Sequence, residues 1–234
     1  MAAEPANSLV KPALAIFVKT PGLSPIKTRL AAGIGAQAAL RFHRLAAAAT
    51  AEAVSACGPA LTPYWAVAED NAVTHDYWSE FPRLWQGTGT LGERLHRIHT
   101  ELQTRHGSAL MIGADTPQLT PALLQQAITT LKKPGTVHVL GPAKDGGFWL
   151  FGSKQPIAAP IWNAIPYSRH NTTEALRHAL YDTGNLDTLN QLTDVDTAED
   201  LSVLIETLQN LPNPLPTQTK IIAWFSELEM VNRH

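Results

Sequence analysis

Three short apolar runs that each end in a polar loop place the strongest constraint on the fold of this chain. The runs cover residues 13–18, 109–114 and 137–143, and the loops at their ends contain KTPGLSPIKTRL, GADTP and AKDGG. Continuous apolar runs of this length, closed by turn residues, are typical of buried strands. Segments with helical spacing of apolar residues lie between them. The sequence therefore predicts an α/β fold with a mostly parallel, doubly wound sheet.

The rest of the chain supplies further elements of both kinds. Additional strands are predicted at residues 62–68, 83–86, 148–152 and near 186–190. Helices are predicted at residues 35–57, 91–106, from 120 or 121 onward, near 171–183 and after 196. Residues 1–12 are predicted to be a flexible N-terminus, 13–210 a single domain, and 211–234 a Pro-rich linker with an amphipathic helix. The buried face predicted for that helix is Ile221, Ile222, Trp224, Phe225 and Leu228.

Composition narrows the class of protein. With 234 residues, 44% hydrophobic and 16% charged, the chain matches an ordinary globular protein. A net charge of -2 provides no basic face for a nucleic-acid backbone, so nucleic acid is not expected as a partner. The single Cys57 excludes an internal disulfide. The first ten residues lack a basic stretch and the run 13–18 is too short to span a bilayer, so we predict a cytoplasmic protein without a membrane segment.

The first loop carries cations in a Gly/Pro-rich setting. Lys27 and Arg29 lie two apart, just before the predicted helix, where an ammonium and a guanidinium can neutralise phosphates beside the helix N-terminus. Thr20 and Gly22 are assigned to the same phosphate-binding loop. Lys19 could join it or face water. The alternative for Lys27 and Arg29 is a pair of solvated surface cations.

Carboxylates in two later loops could hold a divalent metal ion. Asp115 follows the strand 109–114, and Mg²⁺ commonly takes one or two protein carboxylates together with phosphates and water. The alternative is an Asx turn or a helix cap. Asp194 and Asp196 form a second pair, two residues apart, but Asp196 and Glu199 also have the spacing of a capping box. Asp196 is therefore a ligand or a cap.

The third loop offers an acceptor pocket. Asp145 precedes Gly146 and Gly147, which permit close backbone approach, and Phe148 follows at once. The alternative is a simple turn, for which Asp-Gly is a common dipeptide.

Two histidines lie three residues apart on one face of the predicted helix 91–106. A zinc site needs more ligands than His96 and His99 supply, and no third ligand lies within sequence reach. We therefore expect a solvated helix face rather than a metal site.

Five segments, taken in order, resemble the DUF2064 family: IFVKTPGLSPIKTRLA, QGTGTLGERL, MIGADTPQLTPALLQQA, VLGPAKDGGFWLFG and LTDVDTAEDL. The resemblance covers residues 13–205. The family is related to nucleotidyltransferases that include 2-phospholactate guanylyltransferase and the molybdenum-cofactor cytidylyl- and guanylyltransferases. It implies a three-layer αβα Rossmann-like GT-A sandwich, a divalent metal (Mg²⁺ or Mn²⁺), and a nucleoside triphosphate or nucleotide-sugar substrate.

The resemblance also implies roles for individual residues. The matched positions are Lys27 and Arg29 in the phosphate loop, Asp115 as the metal carboxylate, Asp145, Gly146 and Gly147 in the DGG turn, and Asp194 and Asp196 in DVDT. The chain departs from the family at Thr90, where an acidic residue is usual, and at Tyr167, where tryptophan is expected.

Two reactions and one binding role fit these residues. The first is Mg-dependent transfer of a nucleotidyl group from a nucleoside triphosphate to a small phosphorylated acceptor, with Lys27, Arg29 and Asp115 as catalytic residues and pyrophosphate as product. The second is glycosyl transfer from a nucleotide-sugar, since the family is often labelled glycosyltransferase and some members are placed near arsenosugar biosynthesis genes. The lack of a clear D-x-D after a strand counts against it. The third is a non-catalytic nucleotide-binding module. The sequence does not identify the base, the acceptor or the oligomeric state.

Overall fold

One seven-stranded sheet lies at the centre of the computed structural model, which describes residues 11–232 of the chain. Its strands are β1 (Ala13–Val18), β2 (Thr62–Val67), β3 (Arg83–Trp85), β4 (Ala109–Gly113), β5 (Thr136–Pro142), β6 (Phe148–Ser153) and β7 (Asn185–Thr188). Their order is β3-β2-β1-β4-β6-β5-β7. Every neighbouring pair is parallel except those of β6, which runs antiparallel to β4 and β5. The mostly parallel sheet predicted from the sequence is confirmed.

Helices lie on both sides of this sheet. They are α1 (Thr28–Ile34), α2 (Ala36–Ser55), α3 (Leu91–His106), α4 (Pro121–Lys132), α5 (Ala159–Asn163), α6 (Thr172–Ala179), α7 (Ala198–Gln209) and α8 (Pro216–Asn232). Between residues 11 and 232, no helix is both long and apolar enough to cross a membrane. Most of the predicted N-terminal segment, residues 1–10, lies outside the described residues.

The alternation of side chains along β1 explains the three layers. Leu14 and Ile16 pack in one core with residues of α2 and α4, whereas Ala13 and Ala15 pack in a second core with residues of α3, α5 and α6. A strand covered on both faces needs apolar side chains at every position, and that requirement accounts for the continuous run in the sequence. The predicted αβα sandwich is confirmed.

A third core joins the C-terminal helix to the domain. Ile221 and Trp224 of α8 are buried there with Phe42 of α2, whose ring centroid lies 5.6 Å from that of Trp224. The other residues of the predicted face, Ile222, Phe225 and Leu228, pack against this core and are partly buried. Gln218, fully buried in the first turn of α8, donates hydrogen bonds to two carbonyls of the loop after β4. The helix therefore packs as the sequence predicts.

The start of the first helix differs from the prediction. Helix α1 begins at Thr28, inside the predicted loop, and Gly35, with φ of 85°, separates it from α2. Lys27 caps α1 and Arg29 lies within its first turn, so the two cations flank a helix start rather than precede one. The sequence misses this helix because no side chain caps it: Lys27 adopts the left-handed conformation instead, with φ of 46°.

The prediction that both histidines of α3 lie on a solvated face is wrong for His99. His99 is fully buried, its ring packs beside Phe151 and Trp162, and neither ring nitrogen has a hydrogen-bond partner among the described residues. It follows Ile98 on the face of α3 that contacts the sheet. Burial lowers the pKa of His99 from 6.5 to about 4, and the nearby His138 and His96 act in the same direction.

The buried His99 predicts a loss of stability in acid. Because its pKa is lower in the folded chain, the unfolded chain binds the proton between pH 6.5 and about 4, and stability falls as the pH falls. That loss amounts to ~3 kcal/mol below pH 4. In urea unfolding between pH 7.5 and 4.5, His99→Leu should therefore lose less stability than the parent chain. The exposed His178→Gln serves as control, and identical pH dependence in His99→Leu and the parent would contradict the prediction.

Candidate functional site

Two adjoining cavities open at the edge of the sheet where the parallel strands end. The first has a volume of about 430 Å³ and is lined mainly by the β1–α1 loop, α1 and the end of β4. The second, of about 280 Å³, is lined by the same end of β4, the start of β6 and the loop before α6. Phe17, Leu91, Gly113 and Asp115 line both. Open α/β sheets bind ligands at this edge, so the two cavities form the candidate site.

The first cavity gathers the cations of the predicted phosphate loop. Lys19, Lys27 and Arg29 all line it, together with Asp115 and Asp196 from distant parts of the chain. The guanidinium of Arg29 lies 2.6 Å from Asp196 Oδ2, and 71% of the Arg29 side chain is exposed. Arg29 is therefore at the rim, where it is free to contact a ligand with little desolvation.

Lys27 occupies the centre of the site. Its Nζ lies 3.0 Å from Asp115 Oδ1 and 3.5 Å from Asp196 Oδ1, and it donates a 2.5 Å hydrogen bond to the carbonyl oxygen of Val195. Only 5% of the Lys27 side chain is exposed. The left-handed backbone, unusual for a residue with a Cβ, thus accompanies an ammonium held between two carboxylates.

Thr20 and Gly22 do not take the predicted positions, because neither lines either cavity. Thr20 is fully buried, its N–H donates to Glu69, and its hydroxyl accepts a 2.9 Å hydrogen bond from the indole of Trp78. Gly22 has φ of 85° in the turn that follows. Their assignment to phosphate binding is therefore corrected: both residues shape the loop that carries the cations.

Asp115 and Asp194 fit a divalent cation better than Asp196 does. Both line the second cavity, and Asp194 Oδ1 accepts a 2.8 Å hydrogen bond from Thr116. Burial, with a smaller contribution from the neighbouring Asp115 and Asp145, raises the pKa of Asp194 to about 6. Two converging carboxylates beside an open cavity match the protein share of a Mg²⁺ site. In the described residues, no group of three or more His, Cys, Asp or Glu side chains forms a metal cage.

The cap of α7 lies one residue later than the sequence suggests. Thr197 is the N-cap, and Asp200 Oδ2 accepts hydrogen bonds from the backbone N–H groups of Asp196 and Thr197. The expected capping pair of Asp196 with Glu199 is therefore wrong. The Asp196 side chain is available to Lys27 and Arg29 because Asp200 does the capping.

The DGG turn contributes to the second cavity and is also a defined turn. Asp145, Gly147 and Phe148 line that cavity, and Asp145 Oδ1 accepts a 2.8 Å hydrogen bond from the N–H of Gly147. Gly146 does not line the cavity. Its φ is 90°, and a Cβ at this position would lie 2.0 Å from the carbonyl oxygen of His170. The interpretation of this loop as a turn is confirmed, and its role as an acceptor pocket stays a prediction.

Sequence reasoning missed two residues of the first cavity, His43 and Gln86. His43 shares a 3.0 Å hydrogen bond with the carbonyl of Lys19, and burial lowers its pKa. Gln86 donates to the carbonyl of Ala66 at 2.8 Å. The sequence offered one signal for each residue: His43 lies on the buried stripe of α2, and Gln86 directly follows β3.

Thr90, where the family usually has an acidic residue, has a structural role. It is the N-cap of α3 and forms a capping box with Glu93, whose carboxylate accepts a 2.7 Å hydrogen bond from the Thr90 N–H.

A protein-family model covers three of the five segments, namely QGTGTLGERL, MIGADTPQLTPALLQQA and VLGPAKDGGFWLFG. The model of DUF2064, described as an uncharacterized protein conserved in bacteria, matches residues 43–169. No curated protein is significantly similar to the chain in sequence.

Solved structures share the fold at low sequence identity. A candidate nucleotide-diphospho-sugar transferase from Desulfovibrio desulfuricans is 22% identical, with 95% of this chain and 96% of that chain covered and a TM-score of 0.82. 4-Diphosphocytidyl-2C-methyl-D-erythritol synthase from Anaerococcus prevotii is 14% identical, with 86% and 100% covered and a TM-score of 0.55. A cytidylyltransferase from Leptospira borgpetersenii is 10% identical, with 95% of each chain covered and a TM-score of 0.56. The predicted fold class is confirmed.

The observed cap leads to a paired stability prediction. Asp200→Ala removes the acceptor at the start of α7 and should lower the free energy of unfolding by about 1 kcal/mol. Asp196→Ala leaves Lys27 with Asp115 and the Val195 carbonyl and removes a pair with the exposed Arg29, so it should change the free energy of unfolding by less than about 0.5 kcal/mol. Urea unfolding at pH 7.5 measures both. A larger loss in Asp196→Ala than in Asp200→Ala would contradict the assigned cap.

Proposed function

The chain belongs to the DUF2064 family, and from that premise we propose that it is a nucleotidyltransferase that transfers a nucleotidyl group from a nucleoside triphosphate to a small acceptor and releases pyrophosphate. The observation that carries the proposal is the pair of cavities that meet at Asp115. One of them gathers Lys19, Lys27 and Arg29, and the other is lined by carboxylates, hydroxyls and apolar side chains. This division supports a donor site and an acceptor site that share one edge.

In the proposed reaction the first cavity holds the triphosphate. An acceptor oxygen attacks the α-phosphorus, a new P–O bond forms, and the bond to the β-phosphate breaks, with its electron pair leaving on pyrophosphate. Lys27 and Arg29 neutralise the charge that develops on the leaving group. The protein mainly positions the two reactants, which in phosphoryl chemistry supplies much of the rate.

Two residues of the shared edge would hold the implied metal ion. Asp115 and Asp194 are the carboxylates that fit Mg²⁺ or Mn²⁺, which when bound supplies further positive charge to the phosphates. Lys27 pairs with Asp115 and Asp196, and phosphates would compete with these carboxylates for its ammonium. Asp196 keeps Arg29 at the rim of the donor cavity.

The sequence suggests a phosphorylated acceptor, but the geometry does not favour one. Among residues 11–232, no lysine or arginine lines the second cavity, whereas three carboxylates do. The proposed transfer therefore requires no phosphate on the acceptor.

Glycosyl transfer from a nucleotide-sugar is the second candidate. Its support is the similarity, with a TM-score of 0.82, to the candidate nucleotide-diphospho-sugar transferase of Desulfovibrio desulfuricans. Against it, β4 ends in a single carboxylate, Asp115, followed by Thr116 and Pro117, so the paired acids of a D-x-D motif are missing at this strand end.

The two reactions predict different products. Nucleotidyl transfer releases pyrophosphate from a nucleoside triphosphate, and this release should require both Mg²⁺ and an acceptor. A coupled pyrophosphate assay with each of the four triphosphates measures it. Release of a nucleoside diphosphate from a sugar donor, with no pyrophosphate from any triphosphate, would overturn the first proposal in favour of the second.

Because the ammonium of Lys27 is buried in the donor cavity, its removal should impair use of the triphosphate more than removal of Arg29 does. Lys27→Ala should lower kcat/KM for the triphosphate ~100-fold, and Arg29→Ala, at the exposed rim, should lower it ~10-fold. Nucleotide affinity measured by calorimetry should fall in the same order. Lys220→Ala, an exposed lysine of α8, serves as the control, and circular dichroism checks that each variant is folded. Unchanged nucleotide affinity in both variants would contradict the phosphate site.

We expect the loss of the Asp115 carboxylate to impair the metal-dependent reaction. Asp115→Asn should reduce metal-dependent turnover ~100-fold. Full metal-dependent turnover in this variant would exclude Asp115 as a ligand.

A further inference from the structure

We propose that the second cavity selects an acceptor that bears hydroxyl groups and no phosphate, of the neutral sugar or polyol class; this inference rests on the proposed function. It concerns the chemistry of one cavity, whose lining combines carboxylates, hydroxyls and aromatic rings.

The charge of the second cavity is opposite to that of the first. Asp115, Asp145 and Asp194 line it, and no lysine, arginine or histidine of the described part of the chain does. A phosphate ester would bring a dianion among these carboxylates and would be repelled. A divalent cation held by Asp115 and Asp194 would serve the triphosphate and would leave Asp145 uncompensated. An uncharged acceptor avoids this repulsion.

The apolar part of the lining combines aromatic rings with the aliphatic side chains of α3 and β4. Phe17 and Phe148 are partly buried at the cavity, and Trp149 is held in place by a 3.0 Å hydrogen bond from its indole to the carbonyl of Asn190. Rings beside carboxylates suit a molecule whose C–H faces pack on apolar surface while its hydroxyls donate to oxygen acceptors. A volume of about 280 Å³ limits that molecule to a small one.

Two groups at this cavity have unused hydrogen-bonding capacity. Asp145 Oδ1 accepts from Gly147, but Oδ2 has no protein partner in the described part of the chain, and the residue is exposed. The buried hydroxyl of Tyr167, a residue of the cavity lining, also lacks a partner within residues 11–232. Asp115 and Asp194, by contrast, are engaged by Lys27 and Thr116. Asp145 is therefore the carboxylate best placed to accept hydrogen bonds from an acceptor.

With such an acceptor, the transfer forms one P–O bond, breaks one P–O bond and releases one proton. One hydroxyl oxygen forms the bond to the α-phosphorus, and pyrophosphate leaves with the electron pair of the broken bond. The proton of that hydroxyl is lost to solvent water at the open side of the cavity, where Asp145 is exposed.

The test compares matched ligands by saturation-transfer difference NMR on the full chain with Mg²⁺ and a non-hydrolysable triphosphate. The probes are myo-inositol and glycerol, each paired with its monophosphate. The neutral compounds should bind at least tenfold more tightly than their phosphates. Asp145→Asn should weaken the binding of the neutral compounds and should lower the ratio of their affinity to that of their monophosphates at least threefold. The exposed Asp182→Asn should change neither quantity.

Two outcomes overturn the inference: equal or tighter binding of the phosphates, or no binding of either class. Pyrophosphate release is measured separately, with the same protein and acceptors but with hydrolysable triphosphates. Loss of that activity with intact polyol binding would count against the proposed reaction, and intact activity with the phosphates alone would count against the acceptor class.

Discussion

The ammonium of Lys27 is the interaction on which the candidate site depends. It joins three segments that are far apart in the sequence: the loop after β1, Asp115 at the end of β4, and Val195 and Asp196 before α7. A buried charge is tolerated only with partners around it, so each segment must keep its position for the others to be stable. The sheet order brings these loops to one edge, and the ion pairs fix their spacing.

The local pattern of the sequence predicts much of the fold. The run at β1 is apolar at every position because both its faces are covered, and α3 matches its predicted bounds because Thr90 and Gly107 mark its ends. The start of α1 could not be predicted, since Lys27 carries no capping side chain. The burial of His99 could not be predicted either, because the sequence does not show whether a histidine beside the apolar stripe of an amphipathic helix faces the core or the solvent.

The site was predictable where a strand end could be recognised. That rule identified Lys27, Asp115 and Asp145, whereas His43 lies inside a helix and enters the site only through packing. The capping role of Asp200 rather than Asp196 depends on a one-residue shift that sequence spacing does not resolve. The cytoplasmic location and the metal requirement stay predictions, because no observed contact tests them.

The antiparallel strand β6 has a consequence for how this scaffold can diversify. Because β6 returns directly from β5, the turn at Asp145 lies at the ligand edge with no crossover helix above it. The wall of the second cavity is thus a hairpin in which Asp145 and Phe148 can be substituted, whereas Gly146, packed against the carbonyl of His170, must stay. Related chains could exchange one acceptor for another through this hairpin while retaining the same nucleotide donor.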